Sequence, residues 1–223
     1  MKKLVCLIVL CLKLTACANH VWEYEPETIH KHPPIKKAVL TVQTLIDERP
    51  TSRPMEWSAP LALLPFVPYS KARIINYPEN SFIGFAGNPT EKIAQSVADE
   101  LDAHRLFSTI EYNHPIQKSD YILSGKLKKF RTKSYWSFYG ISFLGIGLWY
   151  LGAPAEKIYN DVIIEFKLTD TMGKCYFQKE YTEKSSRLLG FYYNQNIQQF
   201  EEPVKRINLR LVNDLLPIIK KLK

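Results

Sequence analysis

The sequence predicts an α+β fold, a two-layer sandwich in which a mostly antiparallel sheet of about five strands packs against two amphipathic helices in the order β-α-β-β-β-β-α. Three observations carry this expectation. Residues 160–169 alternate cleanly, with Val162, Ile164, Phe166 and Leu168 on one side and Asp161, Glu165, Lys167 and Thr169 on the other. Two separate segments place apolar residues at helical spacing, Ile93-Val97-Leu101 and Val204-Ile207-Leu211-Leu215. Alternation of period two reads as a half-buried strand, and a stripe at three and four residues reads as a helix that covers it.

Before the first strand the chain reads as export and attachment. Met1-Lys2-Lys3 is a positive start, and Leu4–Leu14 is apolar except for Lys13, too short for a permanent membrane span. Leu14-Thr15-Ala16-Cys17 then resembles the bacterial lipobox. That resemblance implies cleavage before Cys17, which would carry a covalent diacylglycerol and a further acyl chain, with residues 1–16 lost as signal peptide. Ala18 in place of Asp resembles the lipoproteins sorted to the outer membrane. Residues 17–36 are polar and hold Pro26, Pro33 and Pro34, which stiffen the chain, so they read as a lipidated tether. His30 and His32 lie within it and read as solvated imidazoles rather than metal ligands.

One domain is expected over 37–223. Lys37–Asp47 forms its first strand, with Ala38, Leu40 and Val42 alternating against Val39, Thr41 and Gln43. A long proline-containing stretch follows, and inside it residues 57–70 carry no charge. Loops of such length inside a domain are usually functional or packed as lids. Asn88-Pro89-Thr90-Glu91 opens the first helix with a cap, a first-turn proline and a capping-box acid. Asp99, Glu100 and Asp102 are read as its solvent-facing charges. Leu106–Tyr112 reads as a helix exit into a short strand and Asp120–Leu127 as a further strand, with Tyr121, Leu123 and Leu127 on one face. Asp170-Thr171-Met172-Gly173 turns the 160–169 strand into a hairpin partner over 174–183. Pro203 suits the start of the last helix, and Pro217 should kink or end it.

Between Lys133 and Glu156 lie 22 uncharged residues with aromatics near both ends and four glycines. A single membrane span here would put neighbouring strands on opposite sides of the bilayer. The segment is therefore expected to pack against its own domain, to present an apolar patch, or to skim a membrane. With 57–70 it forms the expected contact surface for a partner or lipid, carried by Leu64, Phe66, Phe143, Leu148, Trp149 and Tyr150.

Composition narrows the classes. Removal of the signal leaves 27 basic against 22 acidic residues, a scattered excess with no basic stripe and interleaved aromatics, so nucleic acid is not expected. Of four cysteines only Cys175 remains free in the mature chain, which excludes an internal disulfide; its strand setting suggests a small buried hydrophobe. Motifs for nucleophilic, metal-assisted or phosphate-loop catalysis are not found, and no catalytic residue, cofactor or metal ligand is expected. His104 is read as a cation at a helix C-terminus.

The ordered set of lipobox, Asp47-Glu48-Arg49, Leu106-Phe107, Ser119–Gly125, Gly147–Pro154 and the Asp170 hairpin resembles a broad group of bacterial envelope lipoproteins. It is also similar, more loosely, to auxiliary lipoproteins of envelope transport systems and to curli-secretion-type lipoproteins. The resemblance implies the α+β fold, a place in the cell envelope facing the periplasm, and a non-enzymatic assembly or adaptor role with an envelope protein partner. The alternative expectation is a lipid-binding or lipid-transfer lipoprotein with an apolar pocket or lid.

Overall fold

The computed structural model describes residues 22, 24–27, 33–50, 69–76, 88–113, 115, 119–193 and 200–222. Its strands are β1 (Lys36–Val42), β2 (Ile46–Asp47), β3 (Tyr69–Asn76), β4 (Phe107–Tyr112), β5 (Tyr121–Ser137), β6 (Glu156–Asp170) and β7 (Cys175–Leu189). The helices are α1 (Pro89–Ala103), α2 (Gly145–Tyr150) and α3 (Glu201–Ile219). The strands form one open mixed sheet in the order β4-β1-β5-β6-β7, with β2 and β3 also pairing with β5. The α+β class and the order of the expected elements hold. Additions to them are the short β2, β3 within the stretch expected to be irregular, and the single-turn α2.

Parallel pairing is confined to the β4-β1-β5 side and to β2, whereas β3, β6 and β7 run antiparallel to their neighbours. Both β5 and β6 extend beyond the alternating segments that announced them. β5 continues to Ser137 and so absorbs the first residues of the uncharged segment.

A register shift falls between Leu127 and Lys129 of β5, opposite Ile164 and Ile163 of β6. The extra residue, Lys128, reverses which parity faces inward. Leu123 and Leu127 point to the core before it and Phe130 after it, all at most 1% exposed. Without the bulge Phe130 would face the opposite side.

One face of the sheet receives α1 and α3. Asn88 caps α1 by accepting the Thr90 amide at 3.0 Å, and Pro89 opens its first turn. Ile93, Ala94, Val97, Ala98 and Leu101 are buried, as the stripe requires. From α3, Val204, Ile207, Leu211 and Leu215 are fully buried against Leu40, Val42, Val162, Ile164, Phe166 and Leu168. Phe130 stacks on Phe200 with centroids 3.9 Å apart. Pro217 lies inside the last turn of α3, which ends two residues later. The Asp170–Gly173 turn is closed by the Gly173 amide on the Asp170 carbonyl, with Gly173 at φ +84°.

Cys175 is exposed, which corrects its expected burial. It begins β7, the outermost strand among the described residues, just after the turn.

Gly125 sits where β5 meets β2's approach. A Cβ there would stand 2.5 Å from Leu45 Cδ2 and 2.8 Å from the Glu165 carbonyl oxygen. Gly125→Ala should therefore cost about 1–3 kcal/mol through overpacking. A shifted urea midpoint at unchanged slope would register this, and an unchanged midpoint would contradict the close approach.

Candidate functional site

The hairpin between β5 and β6 carries the rest of the uncharged segment as a compact cap at one end of the sheet. The Ser137 amide donates to the Ala155 carbonyl at 2.9 Å and the Ala155 amide to Leu189 at 2.7 Å, which ties the cap to β7. Trp149 Nε1 donates to the Ser137 carbonyl at 2.8 Å, and Tyr139 Oη to the Pro154 carbonyl at 2.6 Å. Gly145 lies against the backbone of Phe138, where a Cβ would collide with the carbonyl. Tyr139 and Ser142 hold positive φ values of +56° and +55°, a conformation that side chains disfavour and that the surrounding packing must enforce.

The cap is apolar on both its inner and its outer side. Phe138 and Ala155 are buried, and the Trp149 ring sits between Phe138 at 5.7 Å and Phe191 at 5.8 Å. Its outer side is apolar too: Leu144 is 65%, Tyr150 65%, Leu151 82% and Tyr192 67% exposed. Tyr150 meets Phe191 edge-on at 5.1 Å, and Tyr192 Oη donates to the Tyr150 carbonyl at 3.0 Å. The 189–193 segment thus joins the cap through the Leu189 carbonyl, Phe191 and Tyr192. None of these was expected as a site residue, although the run Phe191-Tyr192-Tyr193 was its visible signal.

Of the expected contact residues, Leu148, Trp149 and Tyr150 come together here, with the first two half-buried and Tyr150 exposed. Leu64, Phe66, Cys17, Leu14, Thr15 and Ala16, and the side chain of Phe143, lie outside the described residues, as do His30, His32 and most of 57–70. No described helix is long and apolar enough to cross a membrane.

A second cluster joins the segment before β1 to the helices. Glu100, expected to face solvent with Asp99 and Asp102, is fully buried, while those two neighbours are exposed. Seven residues separate Glu100 from Ile93, two helical turns, so it falls on the same inward row. Tyr24 Oη donates to Glu100 Oε2 at 2.5 Å, the Glu27 amide to Oε1 at 3.1 Å, and His104 Nε2 lies 3.2 Å from Oε1. Asn208 of α3 donates to Tyr24 Oη at 3.0 Å and to Ser96 Oγ at 3.1 Å. Burial, reinforced by the hydrogen bond to Glu100, pushes the Tyr24 phenol far above its ordinary pKa and keeps it a donor. Trp22 is buried beside this network, and Lys205 Nζ donates to the Glu25 carbonyl at 2.8 Å. Residues 22–27 of the expected tether therefore include docked positions. Glu27, Glu100 and His104 place possible ligand atoms within 4.8 Å of one another. The donors already on Glu100 make this a hydrogen-bonded latch.

The face of the sheet opposite α1 and α3 bears charge from three strands. Lys133, Tyr135, Lys157, Tyr159, Asp161 and Lys184 line a groove of about 510 Å³ there. Asp161 is gripped by Lys129 at 3.0 Å and Arg131 at 2.9 Å. Burial alone would raise its pKa, but hydrogen bonds from Arg131 and Lys129 outweigh burial and hold the carboxyl below its usual range.

Two measurements test these arrangements. Tyr24→Phe removes one donor from a buried carboxylate and should cost about 1–3 kcal/mol; amide exchange at Glu27 should accelerate with it, and unchanged protection would refute the latch. The Asp161 pairing contributes stability that is complete above the unfolded-state pKa of about 3.9 and is lost as pH falls through the lower folded-state value. Asp161→Asn should therefore weaken the acid dependence of unfolding below about pH 4, and an identical acid limb would contradict the pairing.

No family model and no curated protein matches this sequence. Among solved structures, protein XCC0632 of Xanthomonas campestris, assigned to the family model DUF330, is similar in fold. It shares 14% identity over 89% of this chain and 96% of its own, at a TM-score of 0.50. At that identity the likeness concerns the fold alone.

Proposed function

We propose that this chain is a lipid-anchored lipoprotein of the bacterial cell envelope that acts without catalysis, binding a protein partner through the aromatic cap at the end of its sheet. The observation that carries this reading is the contiguous exposed apolar surface made by Leu144, Tyr150, Leu151, Phe191 and Tyr192. Exposed apolar patches of this kind mark interaction sites, and Trp and Tyr are the residues on which protein interfaces most often rest. The cap is also held in shape, by the Trp149 and Tyr139 hydrogen bonds to backbone carbonyls, so little ordering would be needed on binding. Attachment through Cys17, on the lipobox resemblance, supplies the address: the outer membrane, with the domain facing the periplasm.

A photo-crosslinker at Leu151 in cells should trap one discrete envelope protein. Leu144→Ser should abolish that adduct while changing stability by no more than about 0.5 kcal/mol, as an exposed position does. Adducts that are absent, diffuse or insensitive to Leu144→Ser would overturn the docking role. Cys17→Ala should abolish acyl labelling and move the protein to the soluble fraction; labelling that persists would remove the anchor.

A further inference from the structure

We propose that the groove on the open face of the sheet is a binding site for a phosphoryl group. Register explains its composition. Tyr159 of β6 pairs with Lys133 of β5, Lys157 pairs with Tyr135, and Asp161 pairs with Lys184 of β7. Three lysines from three adjacent strands therefore share one face, in alternation with two tyrosines. Lys133 and Lys157 lie on the diagonal of the β5–β6 pair, within reach of each other for long side chains, so positive charge concentrates on this face.

Lys184 is registered opposite Asp161, whose carboxylate is already shared by two other cations. Asp161, the one carboxylate among the described residues lining the groove, is held by Lys129 and Arg131, and Lys133 and Lys184 form no ion pair among the described residues. The walls are arranged as well. The Tyr135 and Tyr159 rings meet at 90° with centroids 5.7 Å apart, and Lys157 Nζ lies 5.1 Å from the Tyr159 centroid. Two half-buried lysines, Lys133 and Lys157, with the exposed Lys184 across the groove suit a compact, multiply charged oxyanion, which accepts charge-assisted hydrogen bonds from several donors at once. The groove lies next to the cap, since Lys157 is also paired with Leu188 and lies two residues beyond Ala155. A phosphoryl headgroup bound here would have its apolar part directed along the cap; a free phosphate ester would use the groove alone.

The site is independent of the partner-binding reading, and Leu151→Ser should leave it intact. The full chain, purified in a non-ionic detergent, is titrated calorimetrically with inorganic phosphate and, separately, with monomeric dihexanoyl phosphatidic acid, each against chloride at matched ionic strength. Saturable binding is expected, about tenfold weaker in Lys184→Gln for the loss of one charge-assisted contact and abolished in Lys133→Gln/Lys157→Gln/Lys184→Gln. Binding of both probes assigns the site to phosphate esters in general, and binding of the lipid alone assigns it to a headgroup. Absence of saturable binding by either, or equal affinity in Lys184→Gln, which alters only an exposed side chain, would overturn the proposal.

Discussion

β5 has to serve two environments along one strand, and the rest of the molecule is arranged around that demand. Its first half lies between β1 and β6 beneath the helices, and its second half runs between β3 and β6 out to the cap. Regular alternation across all 17 residues would have placed Phe130 on the open face. The bulge at Lys128 resets the parity, so Leu127 and Phe130 both reach the core and Phe130 can stack on Phe200, just before α3. The same shift puts Lys129, Arg131, Lys133 and Tyr135 together on the other side. One inserted residue thus completes the core and creates the basic groove.

Covering a single face has consequences at both ends of the sheet. Where α1 and α3 lie, apolar burial is continuous and even Tyr181 is enclosed, its hydroxyl donating to Asp214 at 2.6 Å. Beyond the helices β5, β6 and β7 project further, and the chain closes that end with its own uncharged hairpin. The hairpin buries Phe138 and half of Trp149 but has too few layers to hide Leu144, Tyr150 and Leu151. A surface of this kind is a direct result of building a long hairpin past the reach of its helical layer.

Much of this was legible in the sequence, for identifiable reasons. The Val162–Leu168 alternation, the α1 and α3 stripes, the Asn88 cap and the Asp170–Gly173 turn are local signals, each contained within a few residues. Glu100 carries a charge that suggests solvent, yet its spacing from Ile93 places it inward, and Tyr24 supplies the donor that lets a carboxylate remain there. Cys175 differs from its expected burial because strand membership says nothing about whether the strand lies at an edge. β3 escaped notice within a proline-rich stretch whose pairing partner is more than fifty residues away.

By itself the sequence determined the α+β class, the order of the principal elements, the helical faces and the position of the uncharged segment between two neighbouring strands. These follow from short-range periodicity and from turn chemistry, which the chain writes locally. Only the tertiary structure decided that Phe191 and Tyr192 complete the cap, that Tyr24 latches onto Glu100, and that Lys133, Lys157 and Lys184 converge. Such groupings depend on strand register and on a single bulge, and register is set by pairing between distant segments rather than by any one of them.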